Sequence, residues 1–269
     1  MKKCFTVTVA RPTEQIDKAI ELLVKPGIYK GCEMFYPYDV SEEIYSTYSN
    51  NIEKFTKFDD FEIVMHLPYG TKNNPATYNN LDVTMKRLKD AIDYAAKYNA
   101  VRVTLHPGHV DSGMTRDEAF ELSIKNAQIL CDYAAKYNIV VMIENMVHED
   151  ELCLTIAEMK KYLESVNRNN LGITLDCGHY HASHQTAEPE HDLVEYVNAF
   201  KDKLSHLHLH DNHGVKDEHL KIGLGTIDFK KYFDALRKVN FDGLYGSEVL
   251  FNDYEELLNT SDKIDEFHN

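Results

Sequence analysis

The sequence predicts an α/β protein folded as a single (β/α)8 TIM barrel, and three observations predict it. Short β-rich segments alternate with longer amphipathic ones along the whole chain, the rhythm of βα units around a parallel sheet. Eight such strand segments in 269 residues give about 34 residues per unit, the length of a barrel repeat. The heptapeptide Asp-Tyr-Ala-Ala-Lys-Tyr-Asn occurs at 93–99 and again at 132–138, each time directly before an apolar strand. Two successive units therefore end their helices in the same way.

The strands are expected at 3–10, 30–35, 61–66, 101–106, 139–144, 171–176, 204–209 and 243–249. Helices lie between them. In 81–98 the apolar residues Leu81, Met85, Leu88, Ile92 and Ala95 recur at helical spacing, and 116–137 behaves alike. A doubly wound open sheet would show a Gly-rich phosphate fingerprint after its first strand. Here that strand runs into Ala-Arg-Pro-Thr-Glu-Gln, so the barrel is preferred, as one domain spanning 1–269.

Composition sets the class of partner. The chain is 43% hydrophobic and 27% charged, with 12 Gly and 7 Pro and no tract marking a linker. Its formal net charge of −15 lacks the basic footprint of a nucleic-acid binder. Cys4, Cys32, Cys131, Cys153 and Cys177 are odd in number and scattered, which suggests reduced thiols and a cytoplasmic protein. No segment approaches the roughly 20 apolar residues of a membrane span, and Met1–Pro12 carries too short an apolar run for a signal peptide.

Candidate ligands fall at the predicted strand ends. His66 ends the third strand, His106 the fourth, Glu144 the fifth, Asp176 the sixth, His208 the seventh and Glu248 the eighth. His179 follows Asp176 by three residues, and Asp217 and His219 lie in the loop after the seventh strand. In a barrel these ends converge on one mouth, so residues distant in sequence share one cavity. Carboxylates and imidazoles gathered there suit Zn or Mn rather than an all-oxygen Mg cage. A lone His at a strand end is more often a hydrogen-bonded structural residue, and a lone Asp often caps the next helix. The coincidence over six consecutive strands is what points to metal.

Other residues are placed more loosely. His206 and His210 share a strand face with His208, His206 deeper and His210 at the rim, where it is expected to orient ligands or touch substrate. His109, in a turn after the fourth strand, and Tyr69, after Pro68, are expected to face substrate, although packing alone explains such a Tyr equally well. His148, His181, His184, His191 and His213 fall in loops or helix starts, and His268 in the tail. The segment 223–229 reads as a loop entering a helix, with Thr226 or Asp228 as N-cap, and suits phosphate or hydroxyl contacts.

The segments Thr-Leu-His-Pro-Gly-His at 104–109, Met-Ile-Glu-Asn-Met at 142–146, Leu-Asp-Cys-Gly-His-Tyr-His-Ala-Ser at 175–183, His-Leu-His-Asp-Asn at 208–212, 217–229 and Gly-Ser-Glu-Val-Leu at 246–250 resemble the xylose-isomerase-like barrel superfamily. That superfamily includes sugar and sugar-phosphate isomerases and epimerases and also endonuclease IV. The resemblance to its epimerases implies a four-ligand set at Glu144, Asp176, His208 and Glu248, with Glu144 and Glu248 as acid and base and His179 near the substrate. The resemblance to endonuclease IV implies nine ligands for three zinc ions, adding His66, His106, His179, Asp217 and His219. Two departures count against DNA. The first strand segment, 5–15, is unlike the Gly-Ala-His-rich start of endonuclease IV, and 34–43 lacks an Arg- and Trp-bearing loop to grip a duplex.

The expected function is therefore a divalent-metal isomerase or epimerase of a sugar, sugar phosphate or related polyol, holding one to three Zn or Mn ions. A trinuclear zinc phosphodiesterase is the alternative, and a non-catalytic metabolite-binding barrel stands third. The expected partner is a small sugar-like molecule, with nucleic acid and membrane disfavoured and self-association left open.

Overall fold

A computed structural model describes residues 1–269. Eight parallel strands, β1 (Lys2–Val7), β2 (Gly31–Phe35), β3 (Glu62–His66), β4 (Arg102–Leu105), β5 (Val140–Glu144), β6 (Leu171–Asp176), β7 (Leu204–Leu209) and β8 (Leu244–Ser247), pair in chain order. β8 returns to β1, Lys2 opposite Leu244, and closes the barrel. Around it run α1 (Thr13–Ala19), α2 (Glu42–Phe55), α3 (Leu81–Lys97), α4 (Arg116–Ala134), α5 (Ile156–Val166), α6 (Cys177–Ala187), α7 (Leu193–Phe200), α8 (Phe229–Lys238) and α9 (Glu256–His268). No helix is long and apolar enough to cross a membrane.

Local chemistry sets the boundaries. Thr115 and Glu118 form a reciprocal capping box at the start of α4, and Asp192 and Glu195 do the same for α7, satisfying amides that have no partner inside the helix. The repeated heptapeptide ends on Asn99 and Asn138, both left-handed at φ 57° and 58°, a conformation Asn tolerates and which stops each helix before the next strand. β1 is shorter than expected because the Arg11 amide folds back on the Thr8 carbonyl and Pro12 opens α1. β4 stops at Leu105, since Pro107 has no N–H for the ladder, and His106 stands just beyond the strand.

The main core lies between the strands' outer faces and the helices, with Phe5, Tyr48, Phe55, Tyr162, Tyr196 and Phe233 fully buried in it. The barrel interior is separate and graded. Cys4, Val64, Met142 and Leu244 form a small apolar cluster of their own. Two residues further along the same inner faces, Val64 gives way to His66 and Met142 to Glu144. Between apolar floor and mouth sit Glu33, Thr104, Thr174 and His206, all buried and linked by hydrogen bonds.

Candidate metal centre

His66, Glu144 and Asp176 are the last residues of β3, β5 and β6, His106 and Glu248 directly follow β4 and β8, and His208 is the penultimate residue of β7. Parallel closure brings all six together. Asp217 and His219 arrive on the loop after β7, which is wound around a buried carboxylate. Asp211 accepts the amides of Asn212 (2.9 Å), Gly223 (3.0 Å), Gly225 (2.8 Å) and Ile227 (3.2 Å). A Cβ at position 225 would stand 2.3 Å from Asp211 Oδ1, so only glycine fits there. This corrects the expectation for 223–229: three of the loop's amides are committed to Asp211 and so are not offered to a phosphate, and Asp228 rather than Thr226 caps α8.

The nine predicted ligands fall in three adjoining groups, and a fourth group, Glu33, His206 and His208, lies deeper and shares His208 with the central one. In one, His66 Nε2 and His106 Nε2 lie 3.3 and 3.0 Å from Glu144 Oε2. In the central group, His208 Nδ1 lies 2.9 Å from Glu144 Oε1, 2.9 Å from Glu248 Oε2 and 3.6 Å from Asp176 Oδ2. In the outer group, Asp217 Oδ2 is 2.9 Å from His219 Nε2 and 3.4 Å from His179 Nε2. All nine sequence-predicted ligands thus meet in one place. Asp176 also caps α6, its Oδ1 accepting the His179 amide at 2.6 Å, so capping and clustering coexist in one side chain.

Ring orientation is fixed from behind. His66 Nδ1 donates to the Leu67 carbonyl (2.9 Å), His179 Nδ1 to that of Asn145 (3.0 Å) and His219 Nδ1 to that of Glu248 (2.7 Å). A carbonyl only accepts, so in the neutral ring each Nε2 keeps its lone pair toward the carboxylates. Asn145 adds a clamp, exchanging two side-chain hydrogen bonds of 2.9 Å with the backbone of Asp176.

Electrostatics and unmet valence fit a cation. Burial pushes the Glu144 carboxyl up, but the charges of His208 and His106 outweigh it and hold the group well below the usual carboxylate range. Burial pulls His208 down, yet Glu248, Glu33 and Glu144 drive it well above an ordinary imidazole. His219, lowered by burial and raised by Asp217 and Glu248, ends at about 9. Glu144 Oε2, Glu248 Oε2 and Asp217 Oδ1, one from each of the three groups of predicted ligands, are buried without a hydrogen-bond partner. Carboxylate oxygens close to ring nitrogens but unbonded to them leave room for cations that would displace the protons.

Above the groups opens a cavity of about 190 Å³, lined in part by Tyr69, His109, His148, Glu151, His179 and Asp217. Tyr69 stacks on His106 with ring centres 4.7 Å apart. Tyr69 and His109 thus sit where a substrate contact was expected. His210 does not: its ring is wholly buried against Gly178, where a Cβ would come within 1.9 Å, and its Nε2 lies 2.9 Å from Asp176 Oδ1. It steadies a ligand, beside His179, Asp217 and His219, and stays off the cavity wall. The sequence pattern does not single out Glu33, Asn145 or Asp211. The visible hint for Glu33 is a lone carboxylate inside an otherwise apolar strand, Gly-Cys-Glu-Met-Phe.

The structure is a closed eight-stranded barrel with carboxylates and imidazoles at its C-terminal mouth that could hold metal ions. A model of the xylose isomerase-like TIM barrel family matches residues 20–265, and the chain belongs to that family. It is 29% identical over 216 residues to an uncharacterized protein of Methanocaldococcus jannaschii, covering 74% of this chain and 72% of that one. It is 30% identical over 179 residues to a probable endonuclease 4 of Enterococcus faecalis, covering 62% of this chain and 59% of that one. Among solved structures, a D-tagatose 3-epimerase-like protein superposes with a TM-score of 0.80 at 25% identity, covering 99% of this chain and 97% of that one.

Proposed function

We propose that the protein is a divalent-metal isomerase or epimerase acting on a sugar, sugar phosphate or related polyol, with Zn or Mn as its ion. The observation that carries this reading is the exposure of Glu248. Its side chain is 18% exposed, whereas Glu144, Asp176 and His208 are at most 1% exposed. A general base must reach a C–H bond of the substrate, and Glu248 is the central carboxylate open enough to do so. Bound at the central group, a divalent ion supplies polarisation of the carbonyl beside the reacting carbon. Glu144, its oxygens facing imidazoles on both sides, holds the centre together rather than accepting the second proton. His179, on the cavity wall, is the other group able to carry one. Tyr69 and His109 line the cavity that receives the sugar.

Incubation with a panel of ketoses, aldoses and their phosphates in D2O tests this. Deuterium is expected next to the carbonyl of at least one substrate, and its uptake is expected to vanish in Glu248→Gln. A metal-loaded protein that labels no member of the panel sinks the isomerase reading.

A second reading, a trinuclear zinc phosphodiester hydrolase, is favoured by one observation: an unpartnered carboxylate oxygen in each of the three groups. Three ions suit phosphoester cleavage, one activating water while others neutralise phosphate oxygens. Cleavage of bis(p-nitrophenyl) phosphate without deuterium uptake on the sugar panel would move the assignment there. Five free, buried cysteines suit a reducing, cytoplasmic setting for either activity.

A further inference from the structure

Three imidazoles of the centre, His66, His179 and His219, are fixed by backbone carbonyls. His208 is held differently. Its Nε2 lies 2.9 Å from Glu33 Oε2, a buried carboxylate oxygen from β2 that forms with His206 and His208 a deeper cluster below the mouth. We propose that Glu33 is a positioning residue that locks His208 with its proton on Nε2 and its Nδ1 lone pair aimed at the central group, raising its basicity toward a cation there. The proposal rests on the metal-centre reading and is independent of which reaction the centre performs.

Glu33 is only 1% exposed, and both its oxygens are engaged. Oε1 accepts the Thr104 hydroxyl at 3.1 Å, while Oε2 faces His206 Nε2 at 3.3 Å as well as His208. Bonds on both oxygens prevent the carboxylate from rotating away. An ionised carboxylate only accepts, so the proton it shares with His208 stays on Nε2. Nδ1 is then the atom within 2.9 Å of both Glu144 Oε1 and Glu248 Oε2. A carbonyl behind a ring orients it; a full negative charge behind a ring also raises its basicity toward a cation. A hydrogen-bonded core pair with no bearing on metal is the competing account, and it predicts changes in fold stability alone.

The test uses the full chain stripped by chelation and reloaded with Zn2+ against a chromophoric chelator, as wild type, Glu33→Gln and Glu33→Leu. One bound Zn2+ is expected to weaken by about 10- to 100-fold in Glu33→Leu and less in Glu33→Gln, which keeps an acceptor oxygen. Long-range 1H–15N spectra of the Zn-loaded wild type are expected to show His208 ligated through Nδ1 and protonated on Nε2. Wild-type affinity in the folded variants, or ligation of His208 through Nε2, overturns the role of Glu33. Where Glu33→Leu does not fold, the nearly isosteric Glu33→Gln carries the comparison. A wild-type chain that binds no Zn2+ overturns the metal reading and this proposal with it.

Discussion

Glu144 Oε1 stands 2.9 Å from His208 Nδ1, although the two residues come from β5 and β7 and are 64 positions apart. The other oxygen of the same carboxylate faces His106 Nε2 at 3.0 Å. One side chain therefore belongs to two ligand groups. Glu144→Gln is expected to cost more than one equivalent of bound metal and His106→Asn only one, as counted by elemental analysis after desalting. Equal losses in the two variants would show that the carboxylate does not bridge.

The outer group is expected to empty independently. Asp217→Ala combined with His219→Ala removes both side chains of its closest pair, 2.9 Å apart, while leaving Glu144, Asp176, His208 and Glu248 untouched. Metal content should fall by one ion and the central site stay filled. No loss at all would remove the outer site, and the trinuclear reading with it.

Asp211 organises the loop that delivers those residues. Asp211→Ala leaves four backbone donors without their acceptor, which at the usual cost of unmet buried hydrogen bonds amounts to about 2–4 kcal/mol once water partly compensates. Urea unfolding should show this loss, accompanied by weaker binding at the outer group. Gly225→Ala, which drives a Cβ into Asp211 and the Asn212 carbonyl, should resemble it. Unchanged stability in both would mean that the loop has another anchor.

At the opposite end of the barrel, Glu62 pairs with Lys2 and Arg102. Burial alone would raise its carboxyl, but the two cations more than offset this and lower it from the usual value. A depressed folded-state value means stabilisation that is present above the unfolded carboxylate value, near 4.5, and is lost as pH falls through the lower folded one. Glu62→Gln should cost about 0.5–1 kcal/mol at pH 7, discounted for the half-exposed Lys2. The gap to wild type should narrow progressively in denaturation curves taken as pH is lowered below 4.5. A gap that persists in acid would assign the loss to packing.

The strand ends were legible because one regularity places them: a polar ligand type closing each apolar run, at a spacing that only a closed barrel brings together. His66, Glu144, Asp176 and Glu248 follow from that pattern. What lies between the strands does not. Alternation along the strand face places His210 at the rim, but the chain turns at Asp211 and carries the ring under Gly178. Glu33 meets His208 across the barrel interior, a contact set by closure and stagger rather than by neighbouring residues. Asp211 acts on amides 12 to 16 residues downstream, which no periodicity announces.

The apolar layer of Cys4, Val64, Met142 and Leu244 beneath the polar interior closes the barrel from below. Ions and substrate must then share one doorway, the mouth beside Tyr69 and His106. On the proposed function this traffic would have an order: metal would enter the open site first, and a sugar seated above it would then close its way to solvent. Chelators should accordingly strip the resting protein faster than the same protein saturated with its substrate.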